Sequence, residues 1–188
     1  MAVTFTDLAA LVAVDLADIL AVTDDPSGIP ISKKATVADI LEAGQAWGEI
    51  YIAMGSAAQA GITLTPVIMN AWNTADGFNG PALNTTPAKA SNQITIANAG
   101  LYHINFNISA SGSPNETFHW EIRLDGVSTN KFGGRKLGGG GDLGASTLTT
   151  LSAITAGQVL SVYVNSENAG GASITAMDAQ LLAIRIGA

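Results

Sequence analysis

A glycine-rich stretch, GGRKLGGGGDLGAS, contains the spacing G-x-G-x-x-G at Gly139, Gly141 and Gly144. Such glycines bind a dinucleotide only where a buried strand precedes them and a helix follows, because the N-terminus of that helix holds the pyrophosphate. Here a loop-like segment precedes the glycines, and the Thr- and Ser-rich residues after them are typical of a strand. We therefore predict no nucleotide cofactor. We interpret the stretch as a loop between two strands that presents Arg135 and Lys136 to a partner.

Residues that could act in catalysis or bind a metal are few. The histidines are His103 and His119, cysteine is absent, and no histidine spacing is typical of a metal site. A Ser-His-Asp triad stays open as an alternative because its members need not be adjacent, although no nucleophile elbow G-x-S-x-G is present. Among the turn acids, Asp76 in NTADGFNG is a candidate calcium ligand. We predict no metal, no cofactor, no catalytic residue and no enzymatic activity.

Apolar and polar residues alternate along most of the chain after Trp47, which indicates strands with one covered face. Turn formers such as SGSPNE, TAGQ and NAGG separate these segments, and no helical pattern lies between them. The pattern predicts a mainly β protein, an antiparallel jelly-roll β-sandwich. The residues predicted to fill its core are Tyr102, Ile104, Phe106, Ile108, Phe118, Trp120, Ile122, Leu124, Leu160, Val162 and Val164.

The first 45 residues follow a different pattern. Two extended runs, Ile19–Val22 and Ile29–Lys33, flank the breaker-rich turn TDDPSG and predict a hairpin. Short helices are predicted at Thr6–Leu16 and Val37–Ala43, from apolar spacing and from capping residues. We therefore predict two domains, a small α+β attachment module at 1–45 and the jelly roll at 46–188. A module of this size buries little core alone, so we expect it to dock onto another protein.

The composition narrows the classes of partner. Only 12% of the 188 residues are charged, about half the usual ~25%, so we expect part of the surface to be buried against other chains. The net charge of −7 without a basic cluster argues against nucleic acid. Asp15 and Asp18 interrupt the apolar run near the start, which argues against a secretion signal and against membrane insertion.

Three segments, Ala99–Ser109, Leu151–Val164 and Ile174–Gly187, resemble in order and spacing the signature strands of complement/tumour-necrosis-factor-like jelly rolls. The resemblance covers about residues 47–188. It departs from the family pattern at Ala176-Met177, where an aromatic–Gly pair is common. The resemblance implies a homotrimer in which one sheet face lines the three-fold axis.

The segment Asp18–Leu41 resembles the short modules at the start of tailed-phage fibre and appendage proteins. Together the two resemblances imply a bacteriophage structural protein on the virion surface. It would be a trimeric head or tail fibre, spike or capsid decoration protein, docked to capsid or tail by its N-terminus with the jelly roll outward. The alternatives are a receptor-binding tail fibre that contacts a host-surface glycan or protein, and a glycan-active virion enzyme. A secreted cytokine-like ligand is disfavoured.

These expectations assign three sets of residues. The trimer contact is predicted on the sheet face opposite the core, at Tyr51, Leu101, Val159, Tyr163 and Leu181. Docking to the particle is predicted for apolar residues of the N-terminal module, Leu8, Leu11, Leu16, Ile19, Ile29 and Ile31. The partner-contact loop is the one that carries Arg135 and Lys136.

Overall fold

The computed structural model describes residues 19–24, 31–36, 44–140 and 142–187. The chain divides into two compact units, Met1–Gly44 and Gln45–Ala188. In the first unit, β1 (Ile19–Asp24) and β2 (Ile31–Thr36) pair antiparallel, which confirms the predicted pairing of two extended runs. The turn between them and both predicted helices lie outside the described residues.

The second unit is built of strands of 2 to 16 residues joined by turns. In chain order they are β3 (Trp47–Ile52), β4 (Ala57–Ile62), β5 (Val67–Ile68), β6 (Gly77–Leu83), β7 (Thr85–Ala88), β8 (Gln93–Ile96), β9 (Gly100–Gly112), β10 (Thr117–Leu124), β11 (Val127–Lys136), β12 (Gly144–Ile154), β13 (Val159–Ser166) and β14 (Ala172–Gly187). A single 3₁₀ turn, Lys89–Ser91, connects β7 and β8.

These strands form two antiparallel sheets. The first sheet has the order β12-β9-β14-β3-β6, and β4 pairs with the part of β14 that β3 does not reach. The second sheet has the order β11-β10-β13-β8-β7, and β5 pairs with β13. Neighbours in each sheet are mostly distant in sequence, as in a jelly roll. The predicted jelly-roll β-sandwich is confirmed.

The core lies between the sheets and follows the predicted alternation. On β9, the side chains of Tyr102, Ile104 and Phe106 are fully buried. Trp72, which the alternation did not predict, also enters the core and meets Phe106 edge-on at 6.2 Å between ring centroids. Of the predicted core set, Leu124 alone is only partly buried, against the edge of the cluster.

Strand β14 has the opposite phase from the one predicted. Leu181 was placed on the outer face, but its side chain is 0% exposed and it pairs directly with the core residue Phe106. The register shifts between Ala176 and Asp178, so that Ala179 and Leu181 face inward with their partners on β9. The run QLLAIRI has apolar residues on both faces. Period two therefore cannot tell the two phases apart in this strand.

The glycine-rich stretch is only partly a loop. Strand β11 continues through Lys136 and β12 begins at Gly144, so the connection is limited to residues 137–143. A side chain at Gly133 would press on Leu148 of β12, so the glycine lets the two edge strands approach closely. The glycines thus lead into a strand, and no helix follows them that could hold a phosphate.

Among the described residues, no helix has the length and hydrophobicity that are needed to cross a bilayer.

Candidate functional site

The five residues predicted for the trimer contact do not share one surface. Tyr51 on β3 and Leu101 on β9 lie on the outer side of the first sheet, while Val159 and Tyr163 belong to β13 in the second sheet. Leu181 lies in the core, as described above. Sequence alternation separates inward from outward residues, but it does not say which sheet a strand joins, so the predicted set combined two opposite faces.

One end of the outer face of the first sheet is apolar. Leu151, His103 and Ile184 lie directly opposite one another on β12, β9 and β14, and Trp47 of β3 continues the row. We call the exposed aliphatic side chains here the apolar end: Leu101 (36% exposed), Leu151 (52%), Ile184 (37%) and Ile186 (54%). Exposed aliphatic residues that cluster on neighbouring strands are typical of a surface that another protein covers.

The middle of the same face carries a chain of side-chain hydrogen bonds across four strands. Asn105 Nδ2 donates to Thr149 Oγ1 at 2.7 Å, and Asn107 Nδ2 lies 3.2 Å from both Asn105 Oδ1 and Gln180 Oε1. Gln180 Nε2 then donates to Glu49 Oε2 at 2.6 Å, a charge-assisted bond. We call these five residues the amide ladder. Because each member holds the next, the polar surface is fixed in advance of any ligand.

A cavity of about 350 Å³ opens where the amide ladder reaches its far end. Its lining residues are Glu49, Tyr51, Ile52, Asn107, Asp178, Ala179 and Gln180. The ring of Tyr51 stacks on Phe78 of β6 with centroids 5.3 Å apart and planes 24° apart. Lys89 Nζ lies 5.9 Å from the Phe78 centroid and donates to the backbone oxygens of Thr74 and Gly77. The Tyr51 ring, which stacks on Phe78, therefore lies beside the amides of Asn107 and Gln180 and the carboxylates of Glu49 and Asp178.

The outer side of the second sheet has a different character. Glu121 is 2% exposed and receives a hydrogen bond of 2.8 Å from Arg123 Nε. The Arg123 guanidinium lies 4.3 Å from the ring centroid of Tyr163, which is opposite Glu121 on β13. No donor among the described residues reaches Glu121 Oε1. Tyr163, which was predicted at the trimer interface, thus packs against the Arg123–Glu121 ion pair of its own chain.

Arg135 and Lys136 are not on a loop, in contrast to the prediction. They end β11, opposite Phe118 and Thr117 of β10. Both side chains are exposed, and Arg135 packs across Gly144 toward the carbonyl oxygen of Ala145. The loop was overestimated because glycines usually end strands. Here, however, Gly133 and Gly134 keep their pairing with β10, and Gly133 lies close to Leu148 of the edge strand β12.

The remaining candidates do not assemble into a metal or catalytic centre. His119 Nε2 lies 3.2 Å from Glu167 Oε1 on the surface of the second sheet, whereas His103 lies on the outer face of the first. Asp76 Oδ2 accepts a bond from the backbone nitrogen of Ser56 at 3.4 Å. Within the described part of the chain, no three His, Asp or Glu side chains converge as metal ligands.

The residues predicted to dock on the particle all belong to the first unit of the chain. Leu8, Leu11, Leu16 and Ile29 lie outside the described residues. Ile19 and Ile31 are the first residues of β1 and β2. Their role in docking stays a prediction.

Comparison with solved structures finds proteins of similar fold. The chain is similar to Eiger TNF from S. frugiperda, with a TM-score of 0.56 and 10% identity over 77% of this chain and 94% of that one. It is similar to murine APRIL at pH 5.0, with a TM-score of 0.51 and 8% identity over 76% and 99%. It is also similar to the globular domain of zebrafish complement 1qA, with a TM-score of 0.51 and 12% identity over 75% and 97%.

The fold is a complement/tumour-necrosis-factor-like jelly roll. At such low identity the likeness concerns the fold alone. No protein-family profile matches the chain. No curated protein matches it either.

The sequence did not indicate the cavity. Glu49, Asn107 and Gln180 each stand between core residues in the outward phase of a strand, and that pattern alone is ordinary for a solvated face. What makes them a site is the order β9-β14-β3, which brings three distant segments side by side. A run of outward amides, NFN on β9, was the one available signal.

Proposed function

We propose that the chain is a structural protein that assembles as a homotrimer through the apolar end of its first sheet. The observation that carries this proposal is the row Leu151–His103–Ile184, extended by Leu101 and Ile186, which leaves aliphatic side chains exposed on neighbouring strands. The low charged fraction of 12% supports the same conclusion, because soluble proteins usually carry about 25% charged residues. The resemblance to complement/tumour-necrosis-factor-like proteins supports three copies rather than two.

The contact is narrower than the sequence predicted. Of the five predicted residues, Leu101 belongs to the apolar end, whereas Tyr51 stands six residues further along the sheet, in the row of Asn107. At about 3.4 Å per residue the two are about 20 Å apart. Val159 and Tyr163 face the other way. We therefore assign assembly to the apolar end and leave the Tyr51 end for another role.

Light scattering of the purified full-length chain tests the assembly. We expect a mass close to three times the 19.1 kDa of one chain at micromolar concentration. Ile184→Asp should reduce the mass to that of a monomer, because a buried and unpaired carboxylate in an apolar contact is strongly unfavourable. The matched control is Val127→Asp, at an aliphatic residue that is 69% exposed on β11 of the other sheet, and it should remain trimeric. A monomeric wild-type chain would refute the proposal.

We also propose that the trimer belongs to the surface of a tailed-phage particle, as a head or tail fibre, spike or decoration protein. The support is the resemblance of Asp18–Leu41 to phage appendage modules, together with the antiparallel pair β1–β2 within it. The jelly-roll unit would project outward. We propose a structural and binding role rather than catalysis. A receptor-binding fibre is compatible with the same architecture.

A glycan-active enzyme is the second candidate, because the cavity places the carboxylates of Glu49 and Asp178 in one lining. Glycoside hydrolysis requires such a pair. Release of reducing sugar from host-envelope polysaccharide by the purified chain, abolished in Glu49→Gln, would establish it. The structural proposal expects no release.

A further inference from the structure

We propose that the cavity beside Tyr51 binds a neutral saccharide. The inference deepens the attachment role proposed above and rests on it for its biological setting. The binding chemistry itself lies within one chain. The cavity volume of about 350 Å³ lies at the lower end of the range for small-molecule sites, as a site for one or two sugar rings requires.

The first argument is the aromatic ring. The C–H face of a pyranose is apolar and packs against a flat aromatic side chain. Tyr51 lines the cavity, and its ring is braced by Phe78, which is in turn held near Lys89. Because the ring is fixed before binding, little side-chain freedom is lost when a sugar stacks on it.

The second argument is the polar lining. Sugar hydroxyls both donate and accept. Asn107 Nδ2 is engaged by Asn105 and Gln180, and Gln180 Nε2 donates one hydrogen bond to Glu49, so the amide ladder holds Asn107 Oδ1 and the second N–H of Gln180 in place for a ligand. The carboxylates of Glu49 and Asp178 accept strong hydrogen bonds from hydroxyls. Asp178 is positioned by a bond of 2.9 Å from the backbone nitrogen of Met54 to its Oδ1, which leaves Oδ2 for a ligand.

The third argument is charge. Two carboxylates and no cationic side chain stand among the residues that line the cavity. An anionic sugar would meet two like charges, which disfavours it. An uncharged ring with several hydroxyls matches both the size of the cavity and the acceptors that line it.

The test titrates the full-length chain with galactose, N-acetylglucosamine and N-acetylneuraminic acid and follows amide shifts by NMR. We expect dissociation constants on the order of millimolar for at least one neutral sugar, with shifts at residues around the cavity, and no binding of the anionic sugar. Tyr51→Ala should weaken binding about tenfold or more. The matched control Tyr163→Ala, on the other sheet, should bind as the wild type does.

A second variant protects the test against a folding artefact. Glu49→Gln keeps the shape of the side chain and the fold, and it should weaken binding of the neutral sugar by removing a charged acceptor. Binding of N-acetylneuraminic acid as tight as that of the neutral sugars would overturn the proposal. So would the absence of sugar binding together with shifts caused by Ca²⁺ alone, since the carboxylates would then be a cation site.

The same experiment separates this proposal from the trimer. The Ile184→Asp chain contains the whole cavity, so it should bind sugar whether or not it assembles. A trimer that binds no sugar refutes the saccharide site and leaves the assembly intact. A wild-type chain that is monomeric and binds sugar refutes the assembly and leaves the site intact. Binding by Ile184→Asp but not by the wild type would also overturn the site, because assembly would then cover it.

Discussion

At the scale of single residues, Tyr102 shows how the core constrains a polar group. Its side chain is 0% exposed, and its hydroxyl donates to the carbonyl oxygen of Asn98 at 2.6 Å. Burial raises the pKa of the Tyr102 phenol above its ordinary value of 10.0, and the nearby positive charge of Arg185 opposes part of this rise. The neutral phenol is therefore the form that the fold requires.

The raised pKa makes stability depend on pH in the alkaline range. Below pH 10 the phenol is protonated in the folded and the unfolded chain, so its contribution is fully present. Above about pH 10 the unfolded chain loses the proton first, and the free energy of unfolding falls as pH rises toward the folded pKa.

Tyr102→Phe should remove this part of the pH dependence and cost about 1 kcal/mol at neutral pH through the lost hydrogen bond. Urea denaturation of both chains between pH 8 and pH 11 measures the difference. Tyr51→Phe on the outer face is the control, since it leaves the buried phenol of Tyr102 in place and should keep the alkaline dependence that Tyr102 causes. Equal slopes for wild type and Tyr102→Phe would contradict the assignment.

At the scale of elements, strand β14 sets which residues pack inside the sandwich. It pairs with β9 on one side and with β3 and β4 on the other, so it is the central strand of the first sheet. Its bulge between Ala176 and Asp178 brings Leu181 inward. The neighbouring Leu182 is half-buried on the outer face, opposite Asn105.

The phase of β14 predicts unequal effects of two adjacent substitutions. Leu181→Ala should lower the free energy of unfolding by about 2–5 kcal/mol because it leaves a cavity against Phe106. Leu182→Ala should cost clearly less, because that side chain is already in partial contact with solvent. Chemical denaturation at one fixed chain concentration compares them. A larger loss for Leu182→Ala would reverse the assigned phase.

The same strand shows why part of the fold was predictable and part was not. Strands such as β9 and β10, with one apolar face, reveal their core residues through alternation alone. β14 has apolar residues in both phases, and its phase depends on a bulge whose position is set by pairing with β9. β11 continues through Gly133 and Gly134, where the absence of side chains lets Leu148 of β12 and His119 of β10 lie close to its backbone. These neighbours are distant in sequence, so the local sequence pattern could not predict them.

At the scale of the whole molecule, strand order decides what the outer faces can do. The sequence predicted the jelly roll and exposed apolar residues, but it merged the faces of two sheets. The order β12-β9-β14-β3-β6 creates one face with an apolar end, an amide ladder and a cavity. Each part draws on strands far apart in sequence. The cavity could therefore not be predicted without the topology. The outward position of Leu101 could be predicted, because it follows from the alternation along β9 alone.

The division of the chain into two units leads to a last prediction, on truncation. The jelly-roll unit, Gln45–Ala188, contains both sheets, the described core and the apolar end. A chain that starts at Gln45 should therefore keep its melting temperature and still have the mass of three chains, each shorter by 44 residues. It should no longer join phage particles, because the proposed docking residues are removed.

Particle incorporation of the truncated chain, measured by mass spectrometry of purified phage, checks the docking half of this prediction, and light scattering checks the assembly half. The control is the full-length Arg135→Ala, Lys136→Ala chain, which alters two exposed cations at the end of β11 and should still be incorporated. Normal incorporation of the truncated chain would show that the jelly roll itself contacts the particle. Loss of the trimer on truncation would move part of the assembly surface into the first 44 residues, since the apolar end alone would then be too small to hold three chains together.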